Sequence, residues 1–176
     1  MAALGDTIFA LSSGRVPSGV AVLRVSGPKA QAAALTLCGA LPPPRLARYG
    51  AVRDPASGEI LDNGLLLFFP GPRSATGEDV VELHLHGGRA VVAAVLRVLS
   101  ALPGLRPAEP GEFTRRAHAS GKMDLAEVEG LADLIAAESE AQRRQALALA
   151  SGALSRRVAR WRETLVGALA LVDAAM

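Results

Sequence analysis

Thr76-Gly77-Glu78-Asp79-Val80-Val81-Glu82-Leu83-His84-Leu85-His86-Gly87-Gly88 is the stretch whose reading decides the fold. From Val80 the residues alternate with period two, which predicts a β-strand. Val81, Leu83 and Leu85 then share one face, and Glu82, His84 and His86 share the other. Three ionisable side chains on one face make poor core material, because burying them unpaired is costly. That face is solvated or engaged with something, and a ligand is expected there.

Upstream, Asp6 to Leu11 is a short apolar strand. Gly19 to Ser26 is a second one, with Val20, Val22 and Arg24 on one face and Ala21, Leu23 and Val25 on the other. Pro28 suits the first turn of a helix, Ala30 to Cys38 follows, and Gly39 ends it. Pro42-Pro43-Pro44 is a stiff connector. Ala47 to Arg53 is a weak strand, residues 54–58 a turn, and Leu65 to Phe69 a strand stopped by Pro70-Gly71-Pro72. Downstream, Gly87-Gly88 opens a helix from about Arg89 to Leu102 whose apolar stripe is Val91, Val95, Val98 and Leu102. Leu105 to Pro110 is extended. The irregular alternation predicts an α/β (α+β) mixed-sheet domain over residues 1–120.

Beyond Gly121 there is no proline. Asp124 with Glu127, and Ser139 with Gln142, are capping pairs that start two helices. The second carries an unbroken stripe, Leu147, Ala150, Leu154, Val158, Trp161, Leu165, Ala168 and Val172, and as one helix extends for about 50 Å. It shows no partner of equal length. Residues 121–176 are therefore expected to be an incomplete all-α helical domain, or one that pairs with a second copy.

Composition narrows the function classes. Half of the 176 residues are hydrophobic and 20% are charged, the balance of a globular chain. No apolar run approaches the roughly 20 residues of a membrane span, and the N-terminus lacks the pattern of a secretion signal. A lone cysteine, Cys38, forms no internal disulfide and fits a reducing cytoplasm. The net charge of +2 is too slight to argue for nucleic acid, and 3% aromatics argue against a base-stacking platform.

Several side chains have two readings. A mid-strand carboxylate at Glu82 suits the adjacent N–H donors of an amino-pyrimidine edge; equally, it suits an internal pair with Arg24 or an edge-strand charge. Arg24, in an apolar strand, needs either an internal partner or an external anion. His84 and His86 share a face as two metal ligands do, but only His118 remains as a third His, so solvated or turn-supporting histidines are the default. Lys122 stands out because it and Lys29 are the only lysines among 19 basic residues; it is a point charge toward a ligand or a surface lysine. Gly87-Gly88 is weak evidence for anion binding. Arg143, Arg144, Arg156, Arg157, Arg160 and Arg162 either touch RNA phosphates or form a solvated helix face. Gly121-Lys122 is followed by Met123 with no Gly five residues earlier, so no P-loop is present. No catalytic residue is assigned.

Read in series, Asp6-Thr7-Ile8, the 19–28 block ending Val25-Ser26-Gly27-Pro28, Phe69-Pro70-Gly71-Pro72, Thr76-Gly77-Glu78-Asp79, His86-Gly87-Gly88, Pro110-Gly111-Glu112-Phe113-Thr114 and Lys122-Met123-Asp124-Leu125-Ala126 resemble the N-terminal part of the tRNA modification GTPase MnmE (TrmE) family. The resemblance spans essentially the whole chain. It implies a folate domain like that of the glycine-cleavage aminomethyltransferase, binding 5-formyltetrahydrofolate, with Arg24, Glu82 and Lys122 at the matching positions. It further implies a homodimer through the N-terminal domain, a flavoprotein partner (MnmG, or GidA), and wobble-uridine tRNA modification in the cytoplasm. GTP, Mg and K belong, in this resemblance, to a GTPase domain lying beyond residue 176. The alternatives are a ligand-free dimerisation scaffold and a stand-alone folate-dependent one-carbon transferase.

Overall fold

In the computed structural model, which describes residues 5–175, the alternating stretch is a strand whose buried and half-exposed residues follow the predicted faces. Six strands form one sheet: β1 (Thr7–Leu11), β2 (Ser18–Ser26), β3 (Arg48–Arg53), β4 (Ile60–Phe69), β5 (Val80–Gly87) and β6 (Leu105–Pro107). The helices are α1 (Ala30–Cys38), α2 (Arg89–Ala101), α3 (Glu112–Ala119), α4 (Leu125–Ala136), α5 (Glu140–Ala150) and α6 (Ala153–Ala175). The chain divides into two compact units, one ending at Ser120 and the other beginning at Gly121.

In the first unit the strand order is β3-β4-β5-β2-β1-β6. Every pairing is antiparallel except β1 with β6, which makes this a mixed sheet. Phe9, Leu23, Val25, Leu66, Phe68, Val81, Leu83 and Leu85 bury against Ala30, Ala33 and Leu37 of α1 and Val95, Val98 and Leu99 of α2. Each of the buried valine, leucine and phenylalanine side chains contributes roughly 1.5–3 kcal/mol by leaving water. Gly39 closes α1 with a left-handed φ of 69°, as its position predicts. The α2 stripe is shifted from the predicted one: Val92 and Leu99 are buried with Val95 and Val98, while Val91 and Leu102 only flank the core. Pro28 lies before α1 rather than in its first turn, since Lys29 is the N-cap. β4 begins at Ile60, earlier than expected, because pairing with β3 carries the Leu65–Phe69 strand back through the polar residues 62–64.

Gly87 has a packing reason to be glycine. A Cβ there would stand 2.2 Å from the Oγ of Ser18, the residue of β2 that Gly87 faces in register.

In the second unit both predicted caps are present as capping boxes, Asp124 with Glu127 and Ser139 with Gln142. The single 50 Å helix is a correction. Ser151 caps α5, Gly152 takes a left-handed φ of 77°, and a separate 23-residue α6 follows. α4 and α5 cross closely at Gly130, where a Cβ would meet the backbone N of Ala150 at 2.4 Å. No described side chain of α6 is buried, and Leu154, Val158, Trp161, Leu165 and Val172 of the stripe are exposed.

Candidate functional site

The sheet face away from α1 and α2 collects the polar residues. The β2–β5 register sets Arg24 opposite Glu82 and Val22 opposite His84. Directly paired residues point to the same side of a sheet, so the alternation that sends Leu23 and Leu83 into the core sends these charges out together. Arg24 Nε and Nη2 donate to Glu82 Oε1 at 2.9 and 2.7 Å. His84 Nε2 meets the other oxygen, Oε2, at 3.1 Å. The Phe113 ring of α3 lies 5.5 Å from the Arg24 guanidinium, within cation–π range. Side-chain exposure is 28% for Arg24, 15% for Glu82 and 29% for His84, so the trio is reachable from solvent. Burial pushes the Glu82 carboxyl up, but the bonds from His84 and Arg24 outweigh it and hold the carboxyl below its ordinary range.

The internal-pair reading of Glu82 and Arg24 is thus present in the structure. His84, read as solvated or turn-supporting, is Glu82's second partner. His86 instead faces Asp62, which accepts from the His86 backbone N–H and lies 2.8 Å from its Nδ1. Among the described residues no three His, Cys, Asp or Glu side chains converge as metal ligands do. Lys122 is an exposed residue of the second unit, just before the Asp124 cap.

A cleft of about 330 Å³ opens beside this trio, lined by Arg45, Phe69, Arg73, Ser74, Ala75, Val80 and Glu82. Phe69 and Val80 pair across β4 and β5 and supply an apolar floor. The wall is the loop after Phe69, which is held by Asp79: its carboxylate accepts from Gly71 N at 2.9 Å and from Gln31 Nε2 at 2.6 Å. A second cavity of about 280 Å³ lies in the other unit between α4 and α5, lined mainly by alanine and glutamine.

Sequence reasoning missed α3 and the charges that dock it. Glu112, 2% exposed, accepts from Arg106 on both oxygens at 2.5 and 2.8 Å, from Arg116 Nη2 at 3.1 Å and from Glu109 N at 2.8 Å. Arg116, 6% exposed, also donates to Asp6 Oδ1 at 2.5 Å and to Glu78 Oε1 at 3.0 Å. Glu78 accepts from Ser26 Oγ, which is itself bonded to Thr76 Oγ1. The bonds from Arg106 draw the Glu112 carboxyl down to about 2. This polar helix has no apolar stripe to announce it; the available signal was the i, i+4 spacing of Glu112 and Arg116 after Pro110-Gly111.

The chain that builds this sheet and these helices matches known proteins over nearly its whole length. Residues 7–122 match the family described as the GTP-binding protein TrmE N-terminus, and residues 125–176 match the MnmE helical domain. The chain belongs to this family. It is 76% identical over 169 residues to the tRNA modification GTPase MnmE of Azorhizobium caulinodans, covering 96% of this chain and 39% of that protein. The protein of the same name from Novosphingobium aromaticivorans is 61% identical over 171 residues, covering 97% of this chain and 39% of that one. The chain spans about two fifths of the length of these curated relatives, 39% in both cases. Among the described residues no helix is long and apolar enough to cross a membrane.

Proposed function

We propose that this chain is the folate-binding and dimerising portion of a cytoplasmic tRNA-modifying GTPase, with residues 1–120 as the folate domain and 121–176 as the start of the helical domain. The observation that supports it best is the Glu82 carboxylate, held below its ordinary range by Arg24 and His84 at the edge of a cleft of about 330 Å³. The donor set fits a reduced pterin. An amino-pyrimidine edge presents adjacent N–H donors, and an ionised carboxylate is acceptor-only with two oxygens to receive them. Arg24 and His84 orient that carboxylate, and Phe113 in turn supports Arg24. Lys122 is proposed as the third ligand residue on the family resemblance alone.

The ligand is 5-formyltetrahydrofolate, which when bound supplies a one-carbon unit. The homodimer through residues 1–120, and the MnmG (GidA) partner and tRNA of the longer assembly, are taken from the family. Nucleotide hydrolysis is not assigned to these residues, which contain no Gly-x-x-x-x-Gly-Lys-Ser/Thr. Titration calorimetry with 5-formyltetrahydrofolate tests the reading: saturable heat in the wild type, lost in Glu82→Ala, supports it, and equal affinity in both rejects the site.

One observation favours a second reading, the ligand-free scaffold. Both oxygens of Glu82 already have protein partners. Thermal stabilisation by the folate, which the binding reading requires by linkage, separates the two.

A further inference from the structure

We propose that Arg45 and Arg73 form an anion subsite on the Glu82 cleft, and that it takes the carboxylate-bearing glutamyl tail of the ligand. The inference rests on the folate reading and extends it to the opposite end of the molecule.

Three observations carry it. First, Arg45 is the only non-glycine residue with positive φ among the described residues, at 65°. This region is sterically disfavoured for a side chain with a Cβ, and such outliers persist only where the surroundings enforce them. Here Arg45 N donates to Phe68 O at 2.8 Å, and the Arg45 guanidinium donates to the main-chain oxygen of Arg73. The strain sets the guanidinium against the loop that walls the cleft.

Second, neither arginine is neutralised. The acids nearby are committed elsewhere: Glu82 to Arg24 and His84, Asp79 to Gln31 and Gly71 N, and Glu78 to Arg116 and Ser26. Among the described residues no carboxylate pairs with Arg45 or Arg73.

Third, the cleft is bipolar. It has a carboxylate at Glu82, an apolar floor at Phe69 and Val80, and two guanidinium groups beside them. A pterin conjugate has the complementary order: N–H donors, an aromatic middle, then carboxylates. At about 330 Å³ the cleft is at the small end of ligand sites, so the tail emerges at the rim, within reach of the long arginine side chains. The planar guanidinium fork suits a carboxylate better than a point charge does.

The test is calorimetry on the full 176-residue chain with three ligands: 5-formyltetrahydrofolate, its triglutamyl form, and 5-formyltetrahydropteroate, which has no glutamate. Arg45→Gln and Arg73→Ala are each expected to weaken binding of the two glutamyl ligands by about tenfold and to leave the pteroate unchanged. Glu82→Ala is expected to weaken all three alike. Arg45→Lys, which keeps the charge, restores part of the glutamyl affinity and serves if Arg45→Gln unfolds, as does exposed Arg73 alone. If the arginine variants leave all three affinities unchanged, or weaken the pteroate equally, the subsite is overturned while the folate reading stands. Weakened RNA binding with intact folate affinity overturns it too. If the wild type binds none of the three, both readings fall.

Discussion

Two clusters of the same residue types stand on one sheet face, two residues of β2 apart. Around Ser26, the carboxylates of Asp6, Glu78 and Glu112 close on the guanidinium groups of Arg106 and Arg116, and no buried side-chain nitrogen or oxygen among the described residues lacks a hydrogen-bond partner. Around Arg24, by contrast, Glu82 and His84 are partly exposed, with a cleft and two unneutralised arginines beside them. The difference is one of enclosure. At the centre of the first cluster Glu112 and Arg116 are 2% and 6% exposed, with Asp6, Glu78 and Arg106 closing over them from a partly exposed rim, so the charges serve to dock α3. In the second, water still reaches the charges, so a ligand can exchange for it at modest cost.

The comparison breaks most visibly if the closed cluster proves dispensable. Glu112→Ala removes the buried carboxylate shared by Arg106 and Arg116, leaving them Asp6 and Glu78, and is expected to cost about 2–3 kcal/mol, read by urea unfolding. A cost under about 1 kcal/mol would show that α3 is not docked by charge. The open cluster should respond in the opposite sense. Glu82→Ala is expected to lower the affinity for 5-formyltetrahydrofolate by tenfold or more while costing about 1 kcal/mol of stability. A large stability loss there would make the trio structural.

Acid titration sharpens the same contrast. The Glu112 carboxyl sits at about 2 against an ordinary 4.5. Its contribution to stability is therefore complete above about pH 4.5 and is lost as pH falls toward 2. Glu112→Gln, already neutral, is expected to flatten that part of the curve of unfolding free energy against pH. Glu82 is depressed as well, so folate affinity should hold at neutral pH and decline only on acidification below the usual carboxylate range. The smallest effect is expected in the other unit. Trp161→Ser alters an exposed stripe residue and should change stability by no more than about 0.5 kcal/mol.

Much of this was legible from residue order, and the failures have causes. The 80–87 strand, its two faces and both capping boxes follow local rules, period two and side-chain-to-backbone bonding within a few residues. The Gly152 break was not visible, because the apolar spacing of three and four runs straight through it and hydropathy does not register a left-handed glycine. α3 was hidden because it is stabilised by Asp6 and Arg106 rather than by an apolar face. For the candidate site, Arg24 and Glu82 were visible as misplaced charges on apolar strands; the His84 contact and the Phe113 ring were not. Arg45 gave no sign at all, since nothing in Pro44-Arg45-Leu46 announces a positive φ.

By itself, then, the sequence determined most of the strands, the two capped helix starts, the faces of the 80–87 strand and the family, because each depends on neighbours within a turn or on motifs in series. Only the tertiary structure decided which charges are closed and which are open. That distinction depends on pairings 38 to 110 residues apart along the chain, such as Glu78 with Arg116 and Asp6 with Arg116, and on how much water the assembled layers leave around them.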